Sequence, residues 1–499
     1  MKSHPFFSIL IFLFFSTLEI ACSNNDDSVE PELTLSKQEL AFDGTISTQK
    51  LAIETNVDWS VSSLDSWCVI SPAFGEAGNK QIEVSVLENP MSDQRIATIT
   101  IIAGALSKQI KVTQTANVNS IPADKTGMNS DALVLATKMK LGWNLGNSLE
   151  ACASSTSASE TYWSNPKTTK AMIDAVKAAG FNAVRIPAAW SGYIDNQTTY
   201  KLQGTWLARV KEVVDYCVDN DMYAILNIHW DGGWLQEHTK YTDQVEVNKK
   251  QKALWLQIAA YFRNYDEHLL FAGTNEVNTG DSSTPTEENF KVQMSYNQTF
   301  VDAVRLTGGR NTYRNLIIQA FNTDIDLADK NLTVATDNIE KRIMVEVHYY
   351  TPWQFCGMEE DATWGKYAVL WGTDYKQYAT GELDGRWITG GEEEYVKTEF
   401  AKVKAKFVDK GYPVILGEYG AISRLSLAGD ALKHHLDSRA YFLKYITQQA
   451  KIYGMVPFYW DNGYSGNHGF GLFDRGNHAI VDTQALNALV EGSAANYPY

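Results

Sequence analysis

The stretch LLFAGTNEVN, residues 269–278, runs apolar through Ala272 and then ends on an amide and a carboxylate side by side, Asn275 and Glu276. A short apolar run of this kind reads as a buried strand. Burying two such polar groups costs free energy unless partners answer them. Either the strand meets water there or it delivers both groups to a site. The same pattern recurs in MKLGWNLGNS, FNAVRIPAAW, MYAILNIHW, RNLIIQAFNT, RIMVEVHYYT, YPVILGEYG and MVPFYWDNG, each an apolar run that gives way to polar or aromatic residues. Helix-like segments stand between them, among them TTKAMIDAVKAAG, TWLARVKEVVDYCVDN and EEEYVKTEFAKVKAKFVDKG. The first and third close on a glycine suited to a C-cap. Eight strand and helix alternations across residues 131–499 predict an α/β fold, a (β/α)8 TIM barrel, which carries its chemistry at the C-terminal ends of the strands.

Reading only those ends gives Asn144 and Asn147, Arg185, His229 with Trp230, Asn275 with Glu276, Asn322, His348 with Tyr350, Glu418 with Tyr419, and Trp460 with Asp461. The glutamates fall on the fourth and seventh strands. Two carboxyls facing each other across a barrel mouth are what hydrolysis of a glycosidic bond requires: one protonates the leaving oxygen, and the other attacks the anomeric carbon or activates water. Their proton affinities must be driven apart by uneven surroundings, with His348 and Asn275 beside one and Arg185 and Tyr350 beside the other. A single strand-end glutamate is most often only a solvated or salt-bridged carboxylate, but the pair in this setting is not. A metal centre built from His229, His348, Asp231 and Asp461 is the competing arrangement. It lacks the His-x-His pair on the first strand and the strand-end lysine of barrel amidohydrolases, so no metal or cofactor is expected.

The motifs GWNLGN, FNAVRIP, NIHW, TNE, VHYYTP, ILGEYG and FYWDNG, in this order and spacing, resemble glycoside hydrolase family 5. WSNPKTT with HYYTPWQFC resembles its subfamily 4 of endo-β-1,4-glucanases. The resemblance implies that Glu276 is the general acid/base and Glu418 the nucleophile, with Arg185 and Tyr350 holding the nucleophile ionised and oriented. It further implies that Asn275 binds the sugar 2-hydroxyl, that His229 and His348 flank the site, and that Trp460 is a stacking platform. Asn147, in the loop after the first strand, either contacts substrate or only shapes that loop. Where the family reads Asn-Glu-Pro this chain has Val277, a change of local backbone rather than of chemistry. The implied activity is a retaining endo-β-1,4-glucanase acting on soluble plant β-glucan, xyloglucan or mixed-linkage glucan. The alternatives are a xylanase or mannanase of the same fold and a glycan-binding surface protein without catalysis. Residues 352–390 hold Trp353, Trp364, Trp371 and Trp387 in a connection long enough to suggest function. The first three are the candidates to stack on remote sugars, with one or two of the four expected to be buried instead.

The rest of the chain bounds the partners. Acidic residues number 59 against 43 basic, a net charge of -16 over 499 residues with no basic run, which excludes a nucleic-acid partner. Residues 1–22, MKSHPFFSILIFLFFSTLEIAC, read as an export signal ending at a lipoprotein-type Ala-Cys site, so Cys22 is the expected lipid anchor to the outer membrane. The polar residues 23–32 suit a tether. Cys68, Cys152, Cys217 and Cys356 lack the spacing of a metal site or a disulfide framework. Residues 33–117 break into short alternating runs separated by turn residues, which predicts an all-β immunoglobulin-like sandwich. The order NVDWSV, SWCVISP, VSVLEN, IKVTQ resembles the BACON domain, and Trp59 and Trp67 are expected in its core. Residues 118–130 form the linker.

Overall fold

The computed structural model describes residues 30–65, 67–87, 89, 94–115 and 121–499. The export signal, Cys22 and most of the tether lie outside the described residues. The chain divides into two compact units, Met1–Ser120 and Ile121–Tyr499.

In the first unit one sheet orders Leu33–Leu35, Ser47–Thr55, Gly78–Val86 and Cys68–Ser71. The other orders Glu39–Phe42, Leu106–Gln114, Arg95–Ala103, Trp59–Ser63 and Phe74–Gly75. Strand side chains alternate faces, so Leu51 and Ile53, Ile82 and Val84, and Ile99 and Ile101 all reach one shared core while their neighbours face out. Trp59 is buried in that core and its indole N–H donates to the Glu76 carbonyl at 3.2 Å. Trp67 packs against the same core beneath Arg95, whose guanidinium lies 4.2 Å from its ring centroid. Both indoles are thus structural, as expected.

In the second unit eight parallel strands close into a barrel in sequence order: Gly142–Asn144, Ala183–Ile186, Tyr223–Asn227, Leu269–Ala272, Leu316–Gln319, Ile343–Tyr349, Val414–Tyr419 and Met455–Tyr459. All eight expected strands are present. Helices Lys170–Ala178, Gly204–Val218 and Glu393–Lys406 stand where the sequence places them. Gly180 (φ +105°) ends the first of these, and Gly411 (φ +89°) ends the short 3-10 turn that follows the third. Left-handed backbone at such a stop is the reason for glycine.

Period two sets the interior. Ala183, Ile225, Ile317, Met344 and Ile415 fill an apolar layer inside the barrel. Two residues further along the same strands stand Arg185, Asn227, Gln319, Glu346 and Gly417. Side chains at i and i+2 share a face, so the interior changes from hydrocarbon to charge within one repeat. The polar layer opens on the C-terminal mouth. The four cysteines of the described residues are buried and unpaired, and no described helix is long and apolar enough to cross a membrane.

Candidate active site

Arg185 is fully buried at the centre of the polar layer. One terminal nitrogen donates to Glu418 Oε1 at 2.8 Å and to Asn144 Oδ1 at 3.0 Å. The other donates to Asn275 Oδ1 at 2.7 Å, and Nε lies 2.9 Å from Glu346 Oε1. The planar guanidinium is suited to this because its donors point in fixed directions. Tyr350 donates to the second oxygen of Glu418 at 3.1 Å, so both oxygens of that carboxylate are held.

Glu276 is held from the opposite side. Its Oε1 lies 2.7 Å from His348 Nδ1, and His348 Nε2 lies 3.1 Å from Glu346 Oε1. Both ring nitrogens therefore face carboxylate oxygens, which only the doubly protonated imidazole satisfies. Burial works against that charge, yet Glu418, Glu276 and Glu346 outweigh it and raise His348 to about 9. The imidazolium in turn governs Glu276. Burial would raise that carboxyl, but the His348 bond and charge, with Arg185 behind them, hold it below the ordinary carboxylate value. At Glu418 burial prevails over His348 and Arg185 and pushes the carboxyl upward. The two glutamates are thus driven apart, but in the sense opposite to that expected of an acid Glu276 and an ionised Glu418, and the proton of the cluster rests on His348. Water still reaches 35% of the Glu276 side chain and only 7% of that of Glu418.

One oxygen of Glu276, one of Glu418 and a ring nitrogen of His348 all lie within 4.8 Å of one another. Such a set can also close on a cation, but Arg185, 2.8 Å from Glu418, sets a fixed positive charge against it.

The other expected residues sort clearly. Asn275 is at the site, but its partner is Arg185 rather than Glu276, because its carbonyl oxygen turns toward the guanidinium; its amide nitrogen keeps only a 3.4 Å contact to Gln236. His229 accepts at Nδ1 from Asn227 at 3.2 Å and is pushed well below 6.5 by burial and by the charges of Arg185 and His348, so it is neutral and bears its proton on Nε2. Its ring runs parallel to Trp460, within 7°, with centroids 6.0 Å apart. Asn147 adopts a left-handed φ of +57°, donates its backbone N–H to Glu150 and accepts from Asn165 at 2.9 Å; it shapes the loop. Val277 is fully buried among Leu235, Val292 and Tyr296.

Trp371 corrects the expectation of a remote platform. It is fully buried, donates to the Gly391 carbonyl at 2.8 Å and packs on Tyr441, Phe442 and Tyr445. The long connection folds back on the helix Gly429–Ile452 and spends this indole on its own core. Trp353 and Trp364 are exposed, at 50% and 62%. Sequence reading missed Glu346 altogether, although IMVEVHYY holds the signal: Glu346, His348 and Tyr350 alternate on one face.

Residues 147–466 match the family described as Cellulase (glycosyl hydrolase family 5), and residues 32–117 match the Viral BACON domain. The chain belongs to glycosyl hydrolase family 5. It is 37% identical to the xyloglucan-specific endo-beta-1,4-glucanase of Bacteroides ovatus over 97% of this chain and 96% of that one. Endoglucanase A of Paenibacillus barcinonensis is 38% identical over 72% of this chain and 90% of its own length. The structure of the Bacteroides ovatus GH5 xyloglucanase in complex with a XXXG heptasaccharide superposes with a TM-score of 0.70 at 36% identity, covering 93% of this chain and 100% of that one. A GH5-4 broad specificity endoglucanase from Clostridium acetobutylicum superposes at 0.60 with 32% identity, covering 72% and 100%. The protein is a glycoside hydrolase.

The raised His348 makes the stability of this family-5 barrel depend on pH. A folded-state value of about 9 against 6.5 gives a stabilisation fully present below pH 6.5 and lost as pH climbs through 9. That shift corresponds to about 3 kcal/mol. The melting temperature of the wild type is expected to fall across pH 6.5–9, and His348→Asn to flatten that part of the curve. Identical slopes in the two proteins would remove His348 as the cause.

Proposed function

We propose that the protein cleaves internal β-1,4-glucosidic bonds of xyloglucan, and of mixed-linkage glucan more slowly, by a double displacement that retains configuration. The observation that carries this reading is the closeness of the two carboxyls, with oxygens of Glu276 and Glu418 within 4.8 Å. Retaining enzymes hold their carboxyls about 5 Å apart, whereas inverting ones leave about 6.5–9.5 Å for a water. Glu276 protonates the departing glycosidic oxygen while Glu418, aligned by Arg185 and Tyr350, attacks the anomeric carbon and forms a glycosyl ester. Glu276 then takes a proton from water, the water oxygen bonds to the same carbon, and Glu418 leaves. A sugar lying over Glu276 removes the water that still reaches it and raises its proton affinity, so the proton crosses the 2.7 Å from His348 when substrate is present. Asn275 has an amide hydrogen to offer the 2-hydroxyl, and the paired faces of Trp460 and His229 offer a flat wall.

Near-full-length similarity to a xyloglucan-specific enzyme supports xyloglucan over xylan or mannan as the substrate. Proton NMR of the first product from xyloglucan is expected to show the retained anomer, and size profiles to show internal cuts before small products accumulate. An inverted anomer would end the double-displacement reading; faster cleavage of xylan or mannan would end the glucan assignment. The enzyme is further proposed to be exported and held at the cell surface through Cys22. Labelled palmitate is expected to enter the wild type and not Cys22→Ala, and equal labelling would refute it.

A further inference from the structure

Glu346 has no place in the two-glutamate scheme, yet it is the most enclosed carboxylate of the site. Its side chain is fully buried inside the barrel. Oxygen ε1 touches Arg185 Nε at 2.9 Å and His348 Nε2 at 3.1 Å, and oxygen ε2 accepts from Gln319 at 2.8 Å. A buried charge of this kind is expensive unless every partner is in place, and here the surroundings are shaped for it. A Cβ at Gly417 would stand 2.2 Å from Glu346 Oε1, so the residue preceding Glu418 has to be glycine to leave the carboxylate room. Beside this point the pairing of the sixth strand with the seventh shifts register between Val347 and His348, and that of the seventh with the eighth shifts between Leu416 and Tyr419.

The two partners of that single oxygen are the two groups that hold the reacting carboxyls: Arg185 holds Glu418, and His348 holds Glu276. We propose that Glu346 is a positioning residue that ties the nucleophile's guanidinium and the acid/base's imidazole into one rigid unit, so that both chemical steps depend on it although it never meets substrate. This rests on the two-glutamate reading of the site. It also makes His348 a cation, since Glu276, Glu346 and Glu418 all face that ring while Arg185 and His229 oppose its charge and Tyr350 stands beside the same carboxylates.

The test compares Glu346→Gln and Glu346→Asp with Glu276→Ala and the wild type. Readouts are kcat and KM on xyloglucan and on an aryl β-glucoside with a good leaving group, plus the titration of His348 by NMR of ¹⁵N-histidine-labelled enzyme. Glu276→Ala loses the acid of the first step and the base of the second, so the activated substrate restores much of its rate once a small anionic nucleophile such as azide replaces the water. Glu346→Gln is expected to lower kcat at least about 30-fold on both substrates, with KM within threefold, and to move the His348 midpoint down by more than one pH unit. Glu346→Asp keeps the charge but cannot span both partners; it is expected to retain most of the His348 midpoint while kcat stays low. That variant serves if Glu346→Gln does not fold. Wild-type kcat in either folded variant, or full rescue of Glu346→Gln by the activated substrate, would overturn the proposal. A wild type inactive on every glucan would instead sink the assigned function, and the His348 titration would still report whether Glu346 holds that ring.

Discussion

Glu418→Gln is expected to lower kcat on xyloglucan by at least about 10⁴-fold with KM nearly unchanged. The amide is close in shape to the carboxylate and leaves the cleft intact, but it cannot form the ester. Arg185 and Tyr350 converge on its two oxygens from fixed directions, so no neighbouring group is placed to take over the attack. Glu276→Ala should look as inactive on polysaccharide and recover on aryl glucosides whose leaving groups need no proton, when azide stands in for the water that has lost its base. The contrast is the diagnostic. A Glu418→Gln enzyme that recovers with the same aryl substrates, or a Glu276→Ala enzyme that does not, would exchange the two roles.

Arg185→Ala is expected to be nearly as damaging to rate and far worse for stability. Arg185 is the permanent positive charge against which Glu346 and Glu418 are buried, and it anchors Asn144 and Asn275 as well. Removing one partner from a buried ion pair costs about 3–5 kcal/mol because the other is left uncompensated. Two carboxylates are left here, so the upper end applies. Calorimetry should show the barrel transition falling while the sandwich transition stays in place. Arg185→Lys keeps the charge but loses the fork of donors, and should recover stability better than activity. Equal melting of Arg185→Ala and the wild type would show that the cluster is paired in some other way.

The barrel and the polar cluster at its mouth were legible because both follow period two along the strands. Each apolar run that breaks into polar residues marks the point where the interior changes character, and Arg185, Glu276, His348 and Glu418 all stand at or just beyond that point. Glu346 escaped because it lies inside the run rather than at its end, where one carboxylate among Met344, Val345 and Val347 reads as an outward-facing exception. Which amide serves which carboxyl was also hidden: Asn275 and Glu276 adjoin in sequence, yet successive side chains diverge, and Asn275 turns to Arg185. Trp371 was misplaced for a different reason. Whether an indole in a long connection meets water depends on what that connection folds against, and Tyr441, Phe442 and Tyr445 lie on a helix some 70 residues downstream.

The missing side chain at Gly417 reaches beyond this one molecule. In most strands alanine is a neutral or favourable replacement for glycine, and it is a change that a single base can make. Here that methyl would land 2.2 Å from a buried carboxylate oxygen. Positions 346 and 417 therefore cannot drift independently: a lineage that loses the glycine must lose or shorten the acid with it, and one that trades the acid for something bulkier meets the same wall from the other side. Laboratory evolution of this enzyme should return almost no active variants from single-site libraries at either position, and recover activity only when both are varied together.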